Sequence, residues 1–258
     1  MESANRFREK IRRGGVCLGT GVSFSDPTAS EILCGAGLDF LWIDMEHTAL
    51  GLDAVQAHIM VAELQGTASL VRVPSNEPVI IKQVLDLGAT GIIVPMIRTA
   101  GEARDAVAAT RFPPEGVRGW GPRRPSRYGR IPGPTVAEAA NRNVLIVVQI
   151  EHVDAVRNLD EILGVPRIDA IYLGIGDLAG SMGLPPEVAH PSLDEVIATV
   201  IQTAQQRGVC VGQSAEDDVE EALKLINNGV KMIAVGDDFR LLANSVDRLV
   251  NGIRGSRS

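Results

Sequence analysis

Eight short apolar runs recur along the chain, each followed by a longer stretch of helical periodicity. This alternation limits the possible folds more than any other feature. The runs are VCLGTGV (16–22), FLWID (40–44), SLVRV (69–73), GIIVP (91–95), VLIVVQI (144–150), AIYLG (170–174), VCVGQ (209–213) and MIAVG (232–236). They are apolar at consecutive positions, as strands of a parallel sheet covered on both faces must be. Eight strand-then-helix units predict an α/β fold, a (β/α)8 barrel, in preference to an open doubly wound sheet. The 258 residues suit one barrel, so a single domain over 1–258 is expected. Among the helical stretches, SDPTASEILCGAG offers Ser25 as an N-cap, and DDFRLLANSVDRLVNGI closes the set.

The rhythm breaks once. Residues 112–143 form an insertion: RFPPEGVRGWGPRRPSRYGRIPGPT, then a short helical piece, VAEAANRN. A loop of this length inside a barrel is functional or interfacial. From Arg118 to Arg130 it carries five arginines and two aromatics. A subunit interface, capture of an acidic substrate and a plain solvated loop all remain open for it.

Composition excludes several classes. A formal net charge of −7 provides no general basic field, so no nucleic-acid partner is expected. No apolar run approaches the roughly 20 residues of a membrane span, so no membrane partner is expected either. The opening MESANRFREKIRRGG lacks the apolar core of a secretory signal. Cys17, Cys34 and Cys210 have no metal-ligand spacing and read as free thiols in a reducing, cytoplasmic setting.

Active sites of such barrels lie at the C-terminal ends of the strands. Asp44, Glu46 and His47 follow the second run, and Arg72 ends the third. Gln149, Glu151 and His152 follow the fifth, Asp177 follows the sixth, and Gln213 and Ser214 follow the seventh. Glu151 and Asp177, on neighbouring strands, are either ligands of a hard divalent cation or acids stabilised at helix starts. His47 is either a general base or a hydrogen-bonded structural group. Arg72, in an otherwise apolar strand, needs an anion: Asp44, Glu46, or a substrate carboxylate or enolate. GIGDLAG (174–180) has dinucleotide-like spacing. The prolines that follow, Pro185, Pro186 and Pro191, argue against the helix such a motif requires. Gly174 and Gly176 would instead let backbone N–H groups approach a small carboxylate. No lysine stands at a predicted strand end, which disfavours a Schiff base.

The ordered set DMEH, VRVPSNEPVIIKQVLDLGATGIIVPMI, RFPPEGVRGWG, VVQIEHVDAVRNLDEIL and YLGIGDLAGSMG resembles the HpcH/HpaI family of class II pyruvate aldolases. The likeness runs from about Gly19 to about Gly236. It implies a barrel that reversibly cleaves a 4-hydroxy-2-oxo acid to pyruvate and an aldehyde. It also implies a divalent metal, Mg²⁺ or Mn²⁺ with Co²⁺ or Zn²⁺ as other options. In this likeness Glu151 and Asp177 hold the metal. Arg72 binds the keto oxygen, His47 works as acid and base, Asp86 pairs with His47, and Gln149 stands beside pyruvate. Beside the likeness, whose members often have GPxDL where this chain has GIGDL, Gly174, Gly176 and Asp177 are read as substrate contacts on the carboxylate side, and Asp44 and Glu46 as supports behind the site. The likeness further implies a homo-hexamer, a trimer of dimers with exchanged C-terminal helices. Other readings are an acyl-CoA ester lyase of the related citrate-lyase branch and a non-catalytic barrel that binds an oxo acid.

Overall fold

In a computed structural model describing residues 2–185 and 190–255, each apolar run forms a strand whose ends fall within one residue of the run. The strands are β1 (Cys17–Val22), β2 (Phe40–Asp44), β3 (Ala68–Arg72), β4 (Gly91–Val94), β5 (Leu145–Ile150), β6 (Ala170–Leu173), β7 (Cys210–Ser214) and β8 (Met232–Asp237). They pair in parallel, in chain order, into a closed barrel. The helices are α1 (Glu2–Arg12), α2 (Thr28–Cys34), α3 (Leu52–Gln65), α4 (Pro78–Asp86), α5 (Ala100–Thr110) and α6 (Gly133–Asn143). They continue with α7 (Val153–Arg157), α8 (Leu159–Leu163), α9 (Ile175–Ser181), α10 (Pro191–Gln206), α11 (Val219–Asn227) and α12 (Asp238–Gly255). No helix among the described residues is long and apolar enough to cross a membrane.

Strand alternation divides the core in two. Leu41, Ile43, Val71, Ile146 and Val148 point outward to the helices. Phe40, Trp42, Leu70, Val147 and Tyr172 fill the interior. Both sets are apolar, which explains the consecutive hydrophobic runs.

The inner cluster extends into α1, a helix that the sequence reading did not foresee. Ala4, Phe7 and Ile11 form a narrow stripe among charged neighbours, and Ala4 and Phe7 are buried against the interior residues. Phe7 meets Phe40 edge-on, with ring centres 6.2 Å apart. The Phe40 ring in turn occupies the space beside Gly19, where a Cβ would lie 2.4 Å from it. Together these residues close the barrel floor, and burial of Phe7 contributes about 2 kcal/mol.

Three helix starts differ from expectation, which puts N-caps at Ser25 and Ser192 and no helix within GIGDLAG. α2 has Pro27 at its N-cap, and Asp26, not Ser25, accepts the Thr28 N–H at 2.9 Å. A short helix, α9, does form within GIGDLAG. It ends at Ser181, before Pro185 and Pro191 can interrupt it; Pro186 lies outside the described residues. α10 takes His190 as its cap, and Ser192 falls inside the first turn.

The insertion lies along the barrel flank. Arg118 donates to Asp86 at 2.7 Å, and Arg124 donates to Leu87 O at 2.9 Å and also to Glu63. These contacts fasten the arginine-rich loop to the C-terminal ends of α3 and α4.

Candidate active site

Interior positions on each strand recur every second residue. On β2 they are Phe40, Trp42 and Asp44; on β3, Ala68, Leu70 and Arg72; on β5, Leu145, Val147 and Gln149. The apolar layers therefore give way to a polar one at the top of the barrel. Arg72 stands level with Asp44 across the β2–β3 ladder. Its Nε lies 2.9 Å from Asp44 Oδ1 and its Nη2 lies 2.7 Å from Oδ2, a two-point clasp. Nη1 approaches Glu46 at 3.2 Å, and the guanidinium lies over the Trp42 ring, 5.1 Å from its centre. Burial opposes the arginine's charge, but the hydrogen bonds and charge of Asp44, with help from Glu46, hold its pKa above the ordinary value. Of the five guanidinium N–H groups, three face these acids, leaving two for a ligand.

Asp44 also orders the loop that follows it, accepting the Glu46 N–H at 2.9 Å. His47 reaches out from this loop with a largely exposed ring, Nε2 3.5 Å from Glu46. The expected partner of His47 lies elsewhere. Asp86 is the last residue of α4 and is paired with the buried Arg118. The helix runs back toward the strand starts, so Asp86 is at the end of the barrel away from the His47 rim, and the two do not meet within the chain.

Glu151 follows β5 and is 2% exposed. It accepts the Met96 N–H at 2.6 Å and the Gln149 amide at 2.8 Å. Burial first, with the charges of Glu46 and Asp177 adding to it, pushes its pKa up to about 7. Burial likewise raises Glu46, against the pull of Arg72 and His47. Asp177 sits in the first turn of α9, where helix polarity favours a negative charge. Glu46, Glu151 and Asp177 thus face one another electrostatically across the rim.

A cavity of about 1430 Å³ opens at this end, and His47, Arg72, Gln149, Gly174, Gly176 and Asp237 are on its wall. Glu46, Glu151 and Asp177 border it without lining it. Gly174 is a requirement of the site: a Cβ there would come within 2.3 Å of Glu151 Oε2. Gln149 Oε1 is buried without a hydrogen-bond partner.

Among the described residues no group of three or more His, Cys, Asp or Glu is arranged to hold a metal ion. The donor set nevertheless suits a hard divalent cation. Two carboxylates, Glu151 just past β5 and Asp177 in the first turn of α9 after the neighbouring β6, come close enough for Asp177 to raise Glu151, and the unpartnered oxygen belongs to Gln149, whose amide donates to Glu151. Oxygen donors that leave further positions for water and substrate match Mg²⁺ or Mn²⁺.

Two wall residues went unread in the sequence, Trp42 and Tyr172. Their rings meet at 4.5 Å beneath Arg72, and the Tyr172 hydroxyl lies 2.8 Å from Ser214 Oγ. In the sequence they look like ordinary strand aromatics; only their inward phase sets them apart.

The family model described as HpcH/HpaI aldolase/citrate lyase matches residues 22–245. The chain is 38% identical to a 4-hydroxy-2-oxovalerate aldolase from Rhodococcus jostii (strain RHA1), covering 95% of this chain and 94% of that protein. It is 35% identical to a 4-hydroxy-2-oxo-heptane-1,7-dioate aldolase from Shigella sonnei (strain Ss046), over 95% and 93%. The solved structure of an HpcH/HpaI aldolase/citrate lyase family protein from Burkholderia cenocepacia J2315 superposes with a TM-score of 0.90 at 30% identity, covering 97% of this chain and 99% of that one.

Proposed function

The chain belongs to the HpcH/HpaI aldolase/citrate lyase family, and from that premise we propose that it is a pyruvate aldolase. It cleaves a 4-hydroxy-2-oxo acid reversibly to pyruvate and an aldehyde, with the aid of a divalent cation. The observation that carries this reading is the convergence of Arg72, His47 and the Glu151–Asp177 pair on one barrel mouth. The names of the relatives support the reaction class.

A cation held by Glu151 and Asp177 would supply Lewis acidity toward the 2-oxo acid. Arg72 directs its two remaining N–H groups at the keto oxygen, where charge grows as the C3–C4 bond breaks. Its position is fixed beforehand by Asp44 and Glu46, so no reorganisation is needed during reaction. His47 takes the proton from the 4-hydroxyl. The C3–C4 electron pair passes into the enolate of pyruvate, C4 leaves as the aldehyde carbonyl, and a proton returned to C3 completes pyruvate. Asp86, far from His47 within the chain, orients Arg118 in this reading.

Assembly as a homo-hexamer with exchanged C-terminal helices is part of the same proposal. Its support is the apolar stripe Phe239, Leu242, Val246, Leu249 and Ile253, all exposed on α12. A cytoplasmic location accords with three buried free cysteines.

The test is deuterium exchange at the methyl group of pyruvate, with and without chelator. We expect exchange that chelator abolishes and Mg²⁺ or Mn²⁺ restores. Absence of exchange under all metals would reject the reading.

A further inference from the structure

We propose that Asp237 selects the aldehyde, favouring one that carries hydroxyl groups over one that ends in a carboxylate. This assignment rests on the aldolase reading above and deepens it to a substrate class.

The chain is built to turn Asp237 inward. Met232 and Ala234 point into the barrel, so strict alternation would place Gly236 inside and Asp237 outside. The β1–β8 register breaks instead: Gly19 stands opposite Ala234, but Gly21 stands opposite Asp237. The extra residue is a bulge, a device that re-aims a side chain beside an active site. Gly236 takes the left-handed φ of +62° that this requires. The Thr20 hydroxyl lies 3.0 Å from both the Val235 and Gly236 carbonyls. On the far side, Asp238 accepts the Ser23 and Phe24 N–H groups, each at 2.9 Å. The bulge is thereby fixed on both flanks.

The carboxylate so delivered leans over β1. A Cβ on Gly21 would lie 1.8 Å from Asp237 Oδ1, so the acid fills the place of the missing side chain. It is close enough to Asp44 and Arg72 to feel their charges, and it shares the cavity wall with His47. Asp237 is half-buried and lines the cavity, and its carboxylate has no hydrogen bond or ion pair with the described residues. Burial raises its pKa, with Asp238 and Asp44 adding to this against Arg240 and Arg72. Nearby Arg240 is engaged by Glu216 at 2.6 Å. Ser214, exposed to the cavity and bonded to Tyr172, continues the same polar wall.

A carboxylate lacking donors accepts hydrogen bonds from substrate hydroxyls and repels a second carboxylate. An acidic aldehyde would need a free cation, and the wall offers few. Its lysine and arginine side chains among the described residues are Arg72, already clasped by Asp44, and Lys224 on α11.

The experiment compares kcat/KM for addition of pyruvate to glyceraldehyde, propanal and succinic semialdehyde by the full chain with Mg²⁺ or Mn²⁺. The readout is the ratio between aldehydes on one preparation. Wild type favours glyceraldehyde over both others. Asp237→Asn lowers the glyceraldehyde-to-succinic-semialdehyde ratio about ten-fold, and Asp237→Val brings the glyceraldehyde-to-propanal ratio down by a similar factor. The isosteric Asn variant carries the test alone if the Val variant does not fold. Ratios equal to wild type, or a wild-type preference for succinic semialdehyde, overturn the assignment of Asp237. Pyruvate methyl exchange in the wild type separates the two levels. With exchange present, only Asp237's role falls; with exchange absent, the aldolase reading falls and takes this assignment with it.

Discussion

Arg72 and Asp44 meet in a two-point contact, 2.9 Å from Nε to Oδ1 and 2.7 Å from Nη2 to Oδ2, at matched positions of adjacent strands. The sheet register itself sets the geometry, because residues paired across the ladder share a height and a face. The guanidinium is aimed before any ligand arrives.

Removing that aim should slow the chemistry without unfolding the barrel. Arg72→Ala is expected to lower the rate of pyruvate methyl exchange by about 10²–10³-fold, the usual loss for one preorganised donor at a developing oxyanion. Asp44→Asn, which keeps the shape but loosens the clasp, should lose less. Measuring exchange by NMR on both variants checks the order; equal rates in Arg72→Ala and wild type would contradict the role given to Arg72.

Gly174→Ala should damage cation binding although it removes no donor atom. Its added methyl would stand 2.3 Å from Glu151 Oε2, so the carboxylate must turn away. Titration with Mn²⁺ is expected to show a fall in affinity of about ten-fold or more, comparable to that of a displaced supporting contact, while circular dichroism stays like wild type. Undiminished Mn²⁺ binding would separate Glu151 from the cation.

His58 offers a pH-dependent stability. It is fully buried, with Nδ1 2.8 Å from Ser30 Oγ and Nε2 2.9 Å from Phe24 O. Burial lowers its pKa, against the Phe24 carbonyl and the charges of Asp238 and Asp26. The unfolded chain therefore takes up a proton at its ordinary pKa, near about 6.5, while the folded chain still refuses it. This contribution is whole above that pH and is lost as pH falls through the folded value. His58→Gln should flatten the drop in melting temperature between pH 7.5 and 5.5 relative to wild type, as read by calorimetry. Parallel curves would show that other groups govern the acid limb.

Phe7→Ala tests the floor. Loss of a fully packed aromatic costs about 3–5 kcal/mol, which corresponds to roughly 6–20 °C in melting temperature for a chain of this length. Thermal unfolding measures it directly. A shift under 2 °C would mean that α1 merely rests on the barrel.

The strands were legible because burial on both faces leaves an unbroken apolar run, and the break in each run marks its rim. That reasoning alone places Asp44, Arg72, Gln149 and Glu151 at one end. It failed where a residue's role depends on phase or direction. α1 was hidden because three apolar residues on one stripe are outnumbered by its charges. Asp237 follows MIAVG and reads as the start of the next helix; only a register slip in β8 turns it inward. The likeness pairs Asp86 with His47; the direction of α4 carries Asp86 to the opposite end of its own barrel, so a second copy of the chain would have to bring the two together.

Phe7, Phe40 and the interior layers above them close the barrel axis from below, so the polar layer of Arg72 and Gln149 faces the rim that carries His47. Whatever is seated against Arg72 and Gln149 lies below whatever reaches His47. Under the aldolase proposal, pyruvate then enters first and the aldehyde second in the synthetic direction, and in cleavage the aldehyde departs before pyruvate.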